Sequence, residues 1–374
     1  MQPRIKKIHD YVSVNSIDAF FITNFYNIFY FTGFRTLVPH EREAYALVTK
    51  KSVYVFSDGR YERHTPFIPS REGNVGCVFE FKLLSPEKGL MKHLQEIISE
   101  EKMVRLGFES EDLKWSEYNT FQKTLGVELI PQDRVGVKIR AVKDEREITK
   151  IQKACEIGDQ CLHDISKTLR EGLFEKEIAW NIEKRIRDKG CEIAFDPIVA
   201  VDANSAVPHY DTKNGNGRVK RGSLVLIDMG VRYEGYNSDI TRMFFVGKQT
   251  NEVLQAYETL KTAQEKTINQ LTHFKKYSEV DLFCRKEVSR YTLPDSTYPH
   301  STGHGVGLKV HENPKVSGTS EDMIHVGNVI TIEPGIYIPG KRGMRIEDTV
   351  VIDSLDPRLR GDDKQVKVLT AFPH

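Results

Sequence analysis

Two aspartates in the second half of the chain have a spacing that predicts a pair of carboxylates on one face of a β-hairpin. Asp228 and Asp239 lie in LVLIDMGVRYEGYNSDITRMFF, which reads as two strands joined by a Glu-Gly turn. A two-residue turn with glycine second is typical of a type I′ hairpin. Counting back from the turn pairs Gly230 with Asp239, so Asp228 is a diagonal neighbour of Asp239, about 7–8 Å away at the backbone. Two ionised carboxylates that converge there repel each other, so a cation or a shared proton is needed.

Histidines and glycines are concentrated in a second segment, HSTGHGVGLKVHENP. It supplies His300, His304 and His311, and its glycines let the backbone approach a ligand closely or adopt unusual φ values. The segment is therefore a second source of side chains that could bind a metal or carry protons.

A third segment, VITIEPGIYIPGKRGMRIEDTVVI, carries two glutamates. Glu333 ends a predicted strand, residues 329–333, which stops at a Pro-Gly pair. Glu347 lies on a second predicted strand, residues 344–352, and shares one face of it with Arg345 by the two-residue period of a strand. If the second strand returns antiparallel to the first, Glu333 and Glu347 come together.

The acids and histidines of the three segments form a set of oxygen and nitrogen ligands that suits divalent manganese, cobalt, iron or zinc. Thiolates, which favour structural zinc sites, are absent from the set. Counting charge favours two ions, since four carboxylates carry −4 and two divalent ions carry +4. Two such ions can generate a nucleophilic hydroxide and polarise a carbonyl group.

Each of these residues, taken singly, also has an ordinary structural explanation. Most aspartate pairs with this spacing are solvated, and a single glutamate is usually a surface residue. A histidine in a glycine-rich loop is more often a hydrogen-bonding residue than a ligand. The combination favours a metal site, because each acid lies on or at the end of a strand predicted to be buried, where an unpaired carboxylate is costly. The structural alternative, in which the acids pair with basic residues, predicts no metal binding.

The elements that must position these segments divide the chain into two domains. A polar stretch at residues 133–144 separates a first domain, residues 1–135, from a second, residues 136–374. The first is predicted to be a mixed α/β domain without a glycine-rich phosphate-binding motif. The second opens with a helix capped by Asp144 and Glu147 and then follows the order helix, helix, strands, helix, helix, strands. That order indicates two similar halves.

Composition and charge exclude several classes of protein. Of the 374 residues, 54 are Lys or Arg and 53 are Asp or Glu, so a net charge of +1 offers no electrostatic basis for binding nucleic acid or an anionic membrane. The start, MQPRIKKIHDYV, has no apolar stretch and does not resemble a signal peptide. The most apolar N-terminal run, residues 19–34, is too short and too polar to span a bilayer.

Cysteine usage predicts a reducing, cytoplasmic location. The chain has five scattered cysteines and no CxxC pair, so neither a disulfide framework nor a zinc ribbon is indicated. The cysteines are Cys77, Cys155, Cys161, Cys191 and Cys284.

Five motifs make the whole chain resemble the Xaa-Pro peptidase family, and they occur in the family's order. They are SAVPHY, DMGVRYEGYNSDITR, HSTGHGVGLKVHE, TIEPGIYIP and GMRIEDTV. The family includes aminopeptidase P and prolidase, with methionine aminopeptidase and creatinase as more distant relatives. The resemblance implies an α/β (α+β) fold, with a creatinase-type N-terminal α/β domain and a C-terminal pita-bread domain of two pseudo-symmetric halves.

The same resemblance implies a dinuclear metal site. Its ligands fall on Asp228, Asp239, His304, Glu333 and Glu347. Asp239 and Glu347 would bridge two divalent ions, Asp228 would complete the shell of one ion, and His304 with Glu333 that of the other. The carboxylate-rich set fits Mn²⁺ best, with Co²⁺, Zn²⁺ and Fe²⁺ as alternatives. All five positions are kept, which speaks against a metal-free, creatinase-like enzyme and against a non-catalytic relative.

The resemblance also implies roles for residues that match other positions of the family's motifs. Glu333 would carry protons, and His209 and His311 match histidines that contact the substrate and stabilise the tetrahedral intermediate. Arg345 matches an arginine beside the ligands, and His300 an active-site histidine of aminopeptidase P. We therefore expect His209, His311 and Glu333 to be catalytic.

The expected function is hydrolysis of the Xaa-Pro bond at the N-terminus of proline-containing peptides, as in aminopeptidase P. The alternative is a prolidase, which cleaves Xaa-Pro dipeptides at the same site, and a remoter one is a non-catalytic interaction protein on this fold. The resemblance also implies a homodimer that forms through the first domain. The residues leave open the native metal and the role of residues 355–364, which read as a solvated loop.

Overall fold

The computed structural model describes residues 3–39, 41–62, 78–290, 295–354 and 364–374. These residues form two compact units, residues 1–140 and 141–374. Residues 355–363 of the loop expected at 355–364 lie outside the described residues, as does Cys77. Among the described residues, no helix has both the length and the apolar character that a membrane crossing requires.

The first unit is built on one mixed sheet with the strand order β4-β3-β2-β1-β5-β6. Neighbouring strands are antiparallel from β1 to β3 and parallel elsewhere. The elements are α1 (Pro3–Val14), β1 (Ala19–Ile22), α2 (Phe25–Thr32), β2 (Ala44–Thr49), β3 (Ser52–Asp58), β4 (Val78–Leu84), α3 (Leu90–Glu101), β5 (Arg105–Glu109), α4 (Trp115–Thr124), β6 (Glu128–Gln132) and α5 (Val135–Ala141).

Burial explains the position of β1 near the middle of that sheet. All four residues of this strand, AFFI, are buried, as expected for a strand with a neighbour on each side and cover on both faces. On one face, Phe21 packs in a cluster with Leu94 and Ile97 of α3 and Phe121 of α4. The mixed α/β character predicted for this part of the chain is observed.

The described residues of the second unit form four sheets, in the orders β12-β9-β8, β11-β10-β7, β14-β13-β15-β18-β19 and β16-β17. Its elements are α6 (Glu145–Ser166), α7 (Glu175–Asp188), β7 (Glu192–Ile193), β8 (Ile198–Val201), β9 (Leu224–Met229), β10 (Val231–Tyr233), β11 (Tyr236–Asn237), β12 (Ile240–Phe245), α8 (Asn251–Gln270), α9 (Tyr277–Val288), β13 (Gly303–Gly305), β14 (Glu312–Val316), β15 (Val329–Ile332), β16 (Gly335–Ile338), β17 (Arg342–Arg345), β18 (Asp348–Ser354) and β19 (Lys364–Val368).

Two pairs of helices cover these sheets, in the halved order expected from the sequence. Helices α6 and α7 pack on the face of β9 that carries Val225 and Ile227. The opposite face of β9, with Leu224 and Leu226, packs in a cluster with α8 and α9. Because side chains alternate along a strand, Asp228 continues the Leu224–Leu226 face.

The predicted hairpin and its register are confirmed. Tyr233 pairs with Tyr236 across the turn. Glu234 and Gly235 both adopt positive φ, 48° and 88°, as a type I′ turn requires. The register continues into the β9–β12 pair, where Asp228 lies opposite Thr241, so Asp239 is its diagonal neighbour.

The strand predicted at residues 344–352 is instead two strands in different sheets. β17 pairs with β16, and β18 pairs with β15. Between them, the backbone N–H of Ile346 donates to the carbonyl of Pro334 (3.3 Å) and that of Glu347 to the carbonyl of Thr241 (3.1 Å). The expectation that Arg345 and Glu347 share a face of one strand is therefore wrong, because the chain changes sheets between them.

A buried ion pair lies behind this crossover. The Arg242 guanidinium donates to Oδ1 of Asp348 (2.6 Å), and the two side chains are 2% and 4% exposed. Arg242 also donates to the carbonyls of Glu347 (2.6 Å) and Phe372 (2.7 Å). It thereby joins β12, β18 and the C-terminal segment.

Replacing Arg242 with methionine is expected to destabilise the protein by about 3–5 kcal/mol, since it removes the guanidinium from the buried Asp348 carboxylate and leaves only the Thr370 hydroxyl and the His374 ring beside it. Urea denaturation measures the change. Arg187→Met is the matched control, because Arg187 pairs with Glu183 on the surface of α7, where such a pair contributes at most about 0.5 kcal/mol. Equal losses of stability in the two variants would contradict the prediction.

Candidate metal centre

Five side chains of the second unit converge where several strands end. Asp228 lies on β9, Asp239 just before β12, His304 on β13, Glu333 directly after β15, and Glu347 between β17 and β18. Ligand atoms of Asp239, His304 and Glu347 all lie within 4.8 Å of one another. Nε2 of His304 lies 3.7 Å from Oδ2 of Asp239 and 3.4 Å from Oε1 of Glu333. The structure thus brings together residues from all three segments singled out in the sequence.

Close backbone contacts explain the glycines around His304. A Cβ atom at Gly303 would lie 2.0 Å from the carbonyl oxygen of Thr331, and one at Gly305 would lie 2.2 Å from that of Asn313. Larger residues would push β13 away from β15 and β14. The glycines therefore let His304 sit among the acids.

Asp228 meets a buried arginine. Nη2 of Arg345 donates to Oδ2 of Asp228, and Nε of Arg345 donates to the hydroxyl of Thr241 (3.1 Å). That hydroxyl in turn donates to Oε2 of Glu347 (2.6 Å). Arg345 and Glu347 are thus linked through Thr241 although they lie on different elements.

Two carboxylate oxygens in the cluster suit a cation. Oδ1 of Asp228 and Oδ1 of Asp239 are buried, and neither has a hydrogen-bond partner among the described residues. A buried carboxylate oxygen without a donor is costly unless a cation compensates it. The donor set, acids with one imidazole, is that preferred by divalent transition metals. The residues present therefore fit a divalent metal ion.

Mutual repulsion and burial perturb the acids. Burial, together with the carboxylates of Glu347, Asp228 and Glu333, raises the pKa of Asp239 well above its ordinary value. The pKa of Glu347 is raised for the same reasons. Burial raises the pKa of Glu333 to about 7 despite the opposing charge of Arg345. Without a cation, the cluster would thus hold protons at neutral pH.

His304 is prepared to act as a ligand. Burial lowers its pKa to about 3, so the ring is neutral. Nδ1 lies 3.1 Å from the carbonyl oxygen of Gly305, which can only accept, so this nitrogen carries the proton. Nε2 then directs its lone pair into the cluster, 3.7 Å from Oδ2 of Asp239 and 3.4 Å from Oε1 of Glu333, where a cation could accept it.

His300 is held at both ring nitrogens. Nδ1 donates to the carbonyl of Ser301 (2.8 Å), which leaves Nε2 to accept from the hydroxyl of Tyr337 (2.9 Å). Arg345 donates to the same hydroxyl (2.9 Å). Burial, followed by the charge of Arg345, lowers the pKa of His300 to about 4. His300 also lies 3.7 Å from Glu333, so it forms part of the wall beside that acid.

The remaining two predicted residues lie on the solvent side. His209 and His311 are both exposed, whereas Asp239 and Glu347 are 3% and 2% exposed. The ring of His311 packs edge-on against that of His304, with centroids 4.2 Å apart. Partial desolvation of its ring, followed by the nearby His209, lowers the pKa of His311. The cluster is therefore approached from the side of these histidines.

Thr241 and Tyr337 are parts of the site that the sequence analysis missed. Thr241 lies two residues after Asp239, so strand periodicity could have placed it on the same face. Tyr337 carried no such signal, because β16 and β17 form a separate sheet whose position depends on the crossover at Glu347.

Comparison with known proteins gives matches along the whole chain. A sequence model of metallopeptidase family M24 matches residues 149–354, and one of the creatinase/prolidase N-terminal domain matches residues 4–142. The chain is 35% identical to an Xaa-Pro dipeptidase of Pyrococcus horikoshii over 354 residues, which are 94% of this chain and 95% of that protein.

Two solved structures show the same architecture. An Xaa-Pro dipeptidase from Bacillus anthracis matches with a TM-score of 0.85 and 28% identity, over 99% of this chain and 97% of that one. An X-Pro aminopeptidase from Thermotoga maritima matches with a TM-score of 0.82 and 29% identity, over 99% and 98% of the two chains. The fold is thus that of a creatinase-type N-terminal domain followed by a pita-bread domain.

Proposed function

Since this chain belongs to metallopeptidase family M24, we propose that it is a metal-dependent dipeptidase that hydrolyses Xaa-Pro dipeptides. The observation that carries the proposal is the cluster in which Asp239, Glu333 and Glu347 lie close to the neutral His304, with buried oxygens of Asp228 and Asp239 that lack a donor among the described residues. Relatives from Pyrococcus horikoshii and Pyrococcus furiosus that are 35% and 34% identical bear the name Xaa-Pro dipeptidase.

We propose that the cluster holds two divalent metal ions. The residues that would hold them are Asp228, Asp239, His304, Glu333 and Glu347. Mn²⁺ is the expected metal, because carboxylate-rich sites suit it. Two divalent ions bound there would supply a nucleophilic hydroxide at neutral pH and polarise the scissile carbonyl group.

Glu333 is the proposed proton carrier. Its carboxylate could accept a proton from the attacking water and then release it. Its side chain is 14% exposed, compared with 5% for Asp239, so it lies nearer to the approach of the substrate. The acceptor of the released proton is the nitrogen of the leaving proline.

The two exposed histidines are proposed to act on the substrate. His311, packed against His304, would donate a hydrogen bond to the oxyanion of the tetrahedral intermediate. His209 would contact the substrate from the neighbouring loop. His300 has both nitrogens engaged by the protein, so its proposed role is to support Glu333 and Tyr337, and Arg345 keeps Asp228 and Thr241 in place.

Aminopeptidase P activity, the main expectation from the sequence, is the second candidate. It is favoured by the likeness to the X-Pro aminopeptidase of Thermotoga maritima. The dipeptidase is preferred because the relatives with the higher sequence identity bear that name. The two activities differ in whether a residue is accepted beyond proline.

Hydrolysis of matched peptides tests the proposal. The protein is stripped of metal, reloaded with Mn²⁺ and given Ala-Pro, Ala-Pro-Ala and Ala-Ala in parallel. We expect cleavage of Ala-Pro and little of the other two. Faster cleavage of Ala-Pro-Ala would favour the aminopeptidase, and cleavage of none of them by the metal-loaded protein would refute both candidates.

We further propose that the enzyme acts in the cytoplasm as a homodimer. Cys155, Cys161, Cys191 and Cys284 are free and buried, which suits a reducing compartment. Sedimentation velocity would test the dimer, since a single species of 42.9 kDa would contradict it.

A further inference from the structure

The loop that carries His209 is built around one buried carboxylate. Glu175, the first residue of α7, is 0% exposed and accepts four hydrogen bonds. Its Oε1 accepts from the backbone N–H of Val201 (2.7 Å) and from the side-chain amide of Asn204 (2.8 Å). Its Oε2 accepts from the hydroxyl of Tyr210 (2.9 Å) and the backbone N–H of Gly217 (2.8 Å). The four donors come from both sides of His209 along the chain.

The residues before and after His209 in the sequence, Pro208 and Tyr210, both make hydrogen bonds, whereas His209 itself is exposed. The carbonyl of Pro208 accepts from Nη1 of Arg345 (3.3 Å), the arginine that also binds Asp228. On the other side, the Tyr210 hydroxyl is fixed by Glu175. Hydrogen bonds therefore fix the residue before His209 to Arg345, beside the acid cluster, and the residue after it to Glu175, at the start of α7.

Close packing leaves this arrangement little freedom. A Cβ atom at Gly217 would lie 2.2 Å from Oε1 of Glu175, and one at Gly215 would lie 2.2 Å from the hydroxyl of Tyr210. Burial and the Glu175 carboxylate also raise the pKa of Tyr210 to about 12, so its hydroxyl keeps its proton at neutral pH. Tyr210 is therefore a permanent donor to Glu175.

We propose that the hydrogen bond from Tyr210 to Glu175 positions the imidazole of His209 for the substrate. Tyr210 and Glu175 are positioning residues, because they act through the backbone of His209. The inference rests on the proposed function in one respect, namely that His209 contacts the substrate.

A double-mutant cycle tests the coupling. Tyr210→Phe removes the hydroxyl and keeps the ring. We expect it to lower kcat/KM for Ala-Pro about tenfold, which corresponds to about 1.4 kcal/mol. His209→Ala is expected to lower kcat/KM as well. Adding Tyr210→Phe to His209→Ala should then change nothing further, because the residue that it positions is gone. The same factor of loss in both backgrounds would overturn the proposal.

A second readout needs no substrate. The rate at which diethyl pyrocarbonate modifies His209, measured by peptide mass spectrometry, reports how the ring is held. We expect both Tyr210→Phe and Glu175→Gln to change this rate while leaving that of the exposed His163 on α6 unaltered. An unchanged rate at His209 in both variants would also overturn the proposal. This measurement decides the matter even if the protein cleaves no Xaa-Pro peptide, in which case the proposed function alone fails.

Tyr277→Phe is the matched control. Its hydroxyl is buried and donates to Asn328 (3.0 Å), away from the His209 loop. Tyr277→Phe loses one hydrogen bond and Tyr210→Phe loses two, because the Tyr210 hydroxyl also accepts from the side-chain amide of Asn204 (2.8 Å), so both variants should unfold at lower temperatures. Only Tyr210→Phe should alter His209, and equal effects of the two variants on its modification rate would show a general loosening instead of positioning.

Discussion

Replacing Glu333 with glutamine is expected to lower kcat for Ala-Pro about 10³-fold while the protein remains folded. Glutamine has nearly the same shape but can neither accept nor release a proton. Steady-state kinetics of the Mn²⁺-loaded variant measure the loss, and circular dichroism checks the fold.

Because Glu333 is also a proposed ligand, bound metal must be counted in the same sample. If the variant loses kcat but keeps both ions, Glu333 acts in proton transfer. If it loses one ion, the fall in kcat is due to the missing metal ligand. Glu265→Gln, an exposed position on α8, is the control and should keep full activity. A Glu333→Gln enzyme with the kcat of the wild type would refute the assignment.

Removing metal is expected to abolish hydrolysis and to make stability depend on pH. Without cations, the raised pKa values of Asp239, Glu333 and Glu347 mean that the folded state binds more protons than the unfolded state. Stability must then fall as pH rises from the ordinary carboxyl pKa, about 4, through the raised values. Unfolding temperatures of the chelated protein should therefore decline between pH 5 and pH 8.

Metal should remove that decline. Bound cations keep the carboxylates ionised in the folded state, and an ion at about 100 times its Kd adds about 2.7 kcal/mol of stability. Calorimetry of chelated and Mn²⁺-reloaded samples at each pH measures both effects. Identical pH dependence in the two samples would mean that the acids are compensated by the protein alone.

Local chemistry explains which features were predictable from the sequence. The Glu-Gly turn needs positive φ at both residues, and it sets the register that makes Asp228 and Asp239 neighbours. The five motifs also predict the family and the fold, and both predictions are confirmed. The residue assignments made from the motifs stay proposals, although the side chains do converge.

Features that depend on distant contacts were not predictable. The change of sheet between Arg345 and Glu347 is set by backbone hydrogen bonds to Pro334 and Thr241, which no local pattern shows. Glu175 resembles an ordinary acid in the first turn of a helix, and only the folded chain brings Val201 and Gly217 to it. Periodicity indicates the face of a strand and does not identify its partner.

The buried ion pair between Arg242 and Asp348 also affects the register in which β12 pairs with the segment around Glu347. Along β12, Thr241 points towards the acid cluster and Arg242 points to the opposite side. In the segment that faces it, Glu347 accepts from Thr241 and Asp348 accepts from Arg242. A slip of one residue would place the Arg242 cation among the acids and leave Asp348 opposite a hydroxyl. Misaligned pairings would thus bury unpaired charges. The alternation of side chains therefore favours the one alignment of these strands that also brings the acids of the site together.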